Sequence, residues 1–338
     1  MTKIKRILTI GLAIIMVLSM TACGETDKKT AKGGKDLEEF NLVLDWYPNA
    51  IHCFLFNAIE KGYYEEEGLK LNIQYPSNTN DGISLPAAGK ADMGIYYMQY
   101  IIEAKAAQDI AIKSVGSITQ SQLGVIMSLA ESNIKGPKDL IGKKIGSSGS
   151  AINEAILKSM IEHEGGTVDQ IDLIDVGFDV MSSLTTKNVD AGMGAMINHE
   201  IVQLQHEGFD VNYFNPTDFG IPNSYEMSFV TGEKQLKEDR DKLERFMRAT
   251  KKGFEYMKSN PEDSLQIMLS HQNEENFPLT EAVERKSLEV LLPVMETKDG
   301  PFMYQDEKIW EDNIQWMYKN KLIKKKIKVS DVMENLDY

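Results

Sequence analysis

The chain has 338 residues, a formal net charge of −14 at neutral pH and 26% charged residues. An acidic balance of this size argues against nucleic acid and anionic lipid surfaces as partners. Two cysteines, Cys23 and Cys53, exclude a CxxC redox pair or a cysteine metal cluster, and the ~300 residues beyond the leader exceed what one core usually supports, so two lobes are expected.

The N-terminus reads as a secretory leader. Lys3, Lys5 and Arg6 precede an apolar stretch from Ile7 to Met20, then the small residues Thr21 and Ala22. Cys23 directly after them resembles a bacterial lipoprotein signal. This implies a signal peptide over 1–22 and Cys23 as the lipidated first residue of the mature chain. An ordinary signal peptide cut nearby is the alternative. Residues 23–39 are small, polar and charged and read as a flexible tether. The expected place is outside the cell, anchored to its membrane.

From Phe40 the pattern alternates. Strand 40–45 ends in "DWYPNA", and a helix is expected from Ile51 to Glu66, with Phe54, Leu55, Ala58 and Ile59 at helical spacing. Trp46 and Tyr47 stand at the strand's carboxyl tip, where a flat ligand can stack on them. Asn49 can cap the following helix, and its place at that helix's start also makes it a ligand candidate. His52, one turn on, is either a structural histidine or a ligand contact. Cys53, in an apolar run, reads as buried filler.

Strands at 69–75 and 91–96 and helices at 82–88 and 98–107 follow, then strands near 111–118 and 123–129. Tyr97, closing the 91–96 strand, is a cleft candidate. A second series holds helix 137–142, strand 143–147, helix 151–164, strand 171–176, helix 179–186, strand 189–194, helix 198–207 and strand 210–214. Alternation of this kind predicts parallel βαβ units. "GKADMGIYYMQYIIEA" (89–104) echoes "KNVDAGMGAMINHEIV" (187–202), which suggests two similar lobes. Phe178, Asp179 and Asn198 occupy strand-to-helix turns of the second series and are candidates there. Tyr225 and Glu226 stand near the return between lobes. Beyond Lys234 the pattern is helical over 235–258, 261–272, 279–293 and 306–321.

These elements predict an α/β protein with two hinged lobes and mixed, mostly parallel sheets, its ligand in the cleft at the strands' carboxyl ends. Lobe 1 is expected to span 40–128 plus 232–338, and lobe 2 129–231.

"LDWYPNAIHCFLFNAIEKGYYEEEGLKLNI", "GKADMGI", "KGPKDLIGKKIG", "IDVGFD", "NHE" and "PFMYQDEKIWEDNIQWM" together resemble the binding proteins of thiamine-precursor ABC importers. The resemblance runs from about residue 40 to 322. It implies a type II periplasmic binding protein that closes over formylaminopyrimidine or hydroxymethylpyrimidine and docks on an ABC permease with its ATPase subunits. "EKGYYEEEG" and "KGPKDLIGKKIG" occur across importers for sulfonates and nitrate, whereas "LDWYPNA" and Tyr225-Glu226 are closer to the pyrimidine group. The same superfamily includes the intracellular thiamine-pyrimidine synthase, which carries a cysteine-rich iron motif and draws on pyridoxal phosphate. The leader and the lack of a cysteine cluster point away from that enzyme.

The arginines beyond the leader are Arg240, Arg245, Arg248 and Arg285, all in the C-terminal helices. Without a guanidinium near the candidate loops, a neutral or weakly basic ring is favoured over a carboxylate or sulfonate. Glu226 can accept hydrogen bonds from an exocyclic amine and a protonated ring nitrogen. No nucleophile set, phosphate loop or cofactor fingerprint is evident, so a binding protein with no cofactor or metal is expected. Riboflavin or another flat heterocycle, or an enzyme like the synthase, are the alternatives.

Overall fold

A computed structural model describes residues 37–177, 179–275 and 277–338. The leader, Cys23 and Phe178 lie outside the described residues. The strands are β1 (Glu38–Val43), β2 (Leu69–Gln74), β3 (Met93–Tyr97), β4 (Ile112–Ser117), β5 (Gly124–Leu129), β6 (Lys144–Ser147), β7 (Asp172–Asp175), β8 (Ala191–Met196), β9 (Val211–Phe214) and β10 (Met227–Gly232). The helices of the first half are α1 (Cys53–Glu60), α2 (Tyr63–Glu66), α3 (Asp81–Ala87), α4 (Met98–Gln108), α5 (Ala151–His163), α6 (Val180–Thr185) and α7 (Glu200–His206). Then come α8 (Glu233–Glu238), α9 (Arg240–Ser259), α10 (Pro261–Ser270), α11 (Glu281–Met295), α12 (Glu307–Lys319) and α13 (Val329–Val332). No helix among the described residues is long and apolar enough to cross a membrane.

Two five-stranded sheets result, in the orders β2-β1-β3-β10-β4 and β7-β6-β8-β5-β9. Each has three parallel strands followed by two joined antiparallel: β10 runs against β3 and β4, and β5 against β8 and β9. The echoing segments are β3–α4 and β8–α7, which hold the same place in the two sheets. The fold is α/β with two lobes.

The lobe boundaries differ from the expected ones. Strand 124–129 belongs to the second sheet, not to lobe 1, and strand 227–232 belongs to the first sheet, not to lobe 2. The second sheet is thus built wholly from β5 to β9, and the first from β1 to β4 plus the returning β10. The reason is burial: "MSFVTG" of β10 is buried throughout, between β3 and β4, and only the first sheet offers it hydrogen bonds on both edges. The crossings therefore fall at 118–123 and 220–226.

Local chemistry explains the other differences. The expected 51–66 helix is a 3₁₀ turn (Ala50–His52), α1 and α2, because Gly62 adopts φ 73°, a left-handed conformation that ends a helix. The expected 137–142 helix is a single 3₁₀ turn, Pro137–Leu140. The 235–258 helix divides at Asp239, whose φ of −126° is not helical.

The first lobe's core forms where β1 meets α1 and α9. Phe40 stacks on Phe246 with ring centroids 4.3 Å apart, and Phe54, Phe229 and Phe302 fill the space beside them. Helix α3 lies close against β3 because both carry glycine at the contact. A Cβ on Gly94 would sit 2.1 Å from the Gly82 carbonyl oxygen, a backbone atom that has no room to give. Gly94→Ala should therefore destabilise the protein by at least ~1–3 kcal/mol, the usual cost of overpacking, seen as a lower urea midpoint at unchanged slope.

Candidate functional site

A cavity of about 120 Å³ lies between the lobes, at the carboxyl ends of β3 and β8 and the first turns of α4 and α5. Tyr97 and Tyr100 form one wall, and Tyr225 and Glu226 another. Ile152, Ile156, Met193 and Met196 close it from the second lobe. Among the described residues that line it, Glu226 is the one carboxylate, and there is no lysine or arginine.

Glu226 is fixed by the crossing segments. Its Oε2 accepts hydrogen bonds from the backbone N–H groups of Leu123 (2.7 Å) and Gly124 (3.0 Å), and its own N–H donates to Thr119 Oγ1 (2.9 Å). The Ile118 N–H donates to the Met227 carbonyl (2.8 Å), and Asn223 Nδ2 donates to the Gln120 carbonyl (3.1 Å). The two crossings are thus zipped together, with a carboxylate at the cavity end of the zip. Burial holds the Glu226 carboxyl above the ordinary carboxylate range. The two N–H donors oppose this, and the nearby Asp45 and Glu200 charges reinforce it.

Asp45, which follows β1, supports the same region. It is buried with His52, whose Nε2 lies 3.0 Å from Asp45 Oδ1. The Asn49 N–H donates to His52 Nδ1 (3.3 Å), which leaves Nε2 as the donor to Asp45. The Tyr97 hydroxyl donates to Asp45 Oδ2 (3.4 Å). Burial first, and the charges of Asp45 and Glu226 next, push the Tyr97 hydroxyl well above its usual pKa, so it is a neutral donor at any working pH.

The candidates taken from the sequence divide into three groups. Tyr97, Tyr225 and Glu226 line the cavity. The Tyr225 hydroxyl also accepts from the Asp306 N–H (2.7 Å) at the start of α12. Asn49 and His52 serve the loop instead: Asn49 Oδ1 accepts from the Ile51 N–H (3.1 Å), its Nδ2 donates to the Tyr47 carbonyl (3.3 Å), and His52 holds Asp45.

The rest stand away from the cavity walls. Trp46, 44% exposed, meets the edges of Tyr47 and Phe277, and Tyr47 stacks on Phe277 at 5.7 Å. They form an aromatic platform beside Asp45. Asn198 is buried against the first lobe, where its Nδ2 donates to Ser287 Oγ (3.2 Å). Asp179 is exposed at the start of α6. Asp45, Tyr100 and Phe277 were not among the candidates. The signal for Asp45 was in plain view, an acid at the strand tip beside Trp46. Phe277 gave none, because its role depends on a contact distant in sequence.

Twin α/β lobes joined by two crossings, with a cavity at the strand ends, define the architecture of a periplasmic-type substrate-binding protein. The chain superposes on the periplasmic aliphatic sulphonate binding protein SsuA of Escherichia coli with a TM-score of 0.68 at 15% identity, covering 87% of this chain and 96% of that one. Residues 49–264 match the family described as NMT1/THI5 like, and the chain belongs to that family. It is 39% identical over 323 residues to the formylaminopyrimidine-binding protein of Halalkalibacterium halodurans, spanning 96% of this chain and 97% of that protein. It is 24% identical to a 4-amino-5-hydroxymethyl-2-methylpyrimidine phosphate synthase of Legionella pneumophila, over 73% of this chain and 78% of that one.

The raised Glu226 pKa has a consequence for stability. The folded state holds this proton more tightly than the unfolded one. The contribution is fully present below the ordinary value of 4.5 and is lost as pH rises through the raised value. Glu226→Gln keeps an acceptor for the two N–H groups and removes the charge. The ligand-free variant should therefore gain stability relative to wild type between about pH 4 and about pH 7, and the two should converge at the acid end. Urea unfolding at both values checks this; a difference independent of pH would contradict it.

Proposed function

We propose that the protein is the extracytoplasmic solute-binding component of an ABC importer and that its ligand is a thiamine-related aminopyrimidine, formylaminopyrimidine or hydroxymethylpyrimidine. The observation that carries this reading is a tyrosine-walled cavity with one carboxylate and no cation among the described residues that line it. An aminopyrimidine offers an amine and a basic ring nitrogen on one edge, and two flat faces. The Glu226 carboxylate can accept from that edge, and a charge-assisted hydrogen bond of this kind contributes about 1.5–3 kcal/mol. Tyr97 can lie against a face, which adds about 0.5–1.5 kcal/mol beyond area burial. Trp46 and Tyr47, beside Asp45 and off the cavity walls, would offer the ligand a stacking platform as the lobes close.

Cavity size supports a small ligand. A volume of about 120 Å³ corresponds to about four waters at ~30 Å³ each, a scale nearer one substituted ring than a flavin. The 39% identity to a formylaminopyrimidine-binding protein supports a binder over an enzyme. A lipid anchor at Cys23 and capture outside the membrane complete the reading, with a permease and its ATPase as partners. They rest on the leader, which lies outside the described residues.

Thermal unfolding with formylaminopyrimidine, hydroxymethylpyrimidine, riboflavin and alkanesulfonates tests the ligand class. An aminopyrimidine at a hundred times its dissociation constant should add ~2.7 kcal/mol of stability. Glu226→Gln should weaken binding roughly 10- to 100-fold, and Trp46→Ala by at most about ten-fold. Stabilisation by a sulfonate and by no pyrimidine would overturn the assignment.

A further inference from the structure

We propose that the Asn198–Glu200 turn and helix α11 form a latch outside the ligand cavity, which holds the lobes closed with a strength set by the charge on His199. Asn198, 4% exposed, donates from Nδ2 to Ser287 Oγ across the lobe boundary, and its Oδ1 has no partner among the described residues. His199 lies nearly parallel to Phe277 of the first lobe, with centroids 6.3 Å apart and planes 23° apart. Met196 and Ile197, just before the turn, pack on the first lobe's core. None of Asn198, His199, Phe277, Glu284 or Ser287 lines the cavity.

The charges around His199 are of one sign. Glu200 on its own helix places Oε1 3.3 Å from Nδ1. Glu284 on α11 is buried, with its Oε2 accepting from the Ala50 N–H (2.8 Å), and its field reaches both His199 and His52. The cations of α11 are engaged elsewhere: Arg285 with Glu262 and Glu281, and Lys286 with Glu289. Burial disfavours the charged imidazole, but Glu200 and Glu284 outweigh it and hold the His199 pKa above its ordinary 6.5.

Glu200 travels with His199, whereas Glu284 belongs to the other lobe. A protonated His199 therefore gains the Glu284 partner only when the lobes meet. The sign follows: closure is favoured while His199 is charged and Glu284 ionised, and it weakens as pH rises through the raised His199 value. Ligand affinity scales with the closed-competent fraction, a step that rests on the proposed function. The latch itself does not.

The test is the distance between spin labels at Gln205→Cys on α7 and Ala282→Cys on α11, both exposed, in the full chain carrying Cys23→Ser. Cys53 is buried and stays unlabelled. In ligand-free protein the closed-to-open ratio should fall several-fold from about pH 6 to about pH 9. His199→Gln should flatten that dependence, and Ser287→Ala should lower the closed fraction at every pH while keeping the slope. An unchanged pH profile in His199→Gln, or none in the parent, would overturn the latch. Adding formylaminopyrimidine separates the two claims: no ligand-driven closure beside an intact pH profile would count against the ligand and not against the latch.

Discussion

A carboxylate held by two backbone N–H groups at the junction of two lobes is the constraint on which this molecule turns. Glu226 precedes β10, the strand that returns the chain to the first sheet. It bonds to Leu123 and Gly124, where the chain enters the second. One side chain therefore joins the crossings and supplies the charge of the cavity. Burying it is unfavourable, as its raised pKa records, and a ligand that donates to it would relieve part of that cost.

Charge distribution then sets what the cleft can accept. The charges of Asp45 and Glu200 both bear on buried Glu226, and His52 is bound to Asp45. An anion entering this field would meet repulsion and no guanidinium. The same architecture, at 15% identity, serves an aliphatic sulphonate binding protein. Fold alone therefore does not choose the ligand; the cavity lining does.

Much of the fold was legible in the sequence, because apolar periodicity and glycine punctuation are local signals. The parallel strands, the 151–164 helix (found as Ala151–His163) and the echo between β3–α4 and β8–α7 all follow from them. What was not legible depended on distant partners. β10 is a short, wholly buried run whose identity as a strand comes from edges offered by β3 and β4. Without it the crossings are misplaced. Of the site candidates, Glu226 and Tyr97 are suggested by their places at crossing and strand end, and both line the cavity. The setting of Trp46 could not be read this way, since it depends on Phe277, which is in ring contact with it but distant in sequence. Asn198 was placed correctly at a turn, but its side chain reaches toward Ser287 on the opposite lobe.

The central claim is that the Glu226 carboxylate reads the amine edge of a pyrimidine ring. A crystal structure of the protein with formylaminopyrimidine tests it most directly. The account predicts the ring between the lobes, against Tyr97, with its amine and a ring nitrogen within hydrogen-bond distance of Glu226 and the Leu123 and Gly124 bonds intact. A ring seated on Trp46 with its polar edge turned away from Glu226 would contradict it.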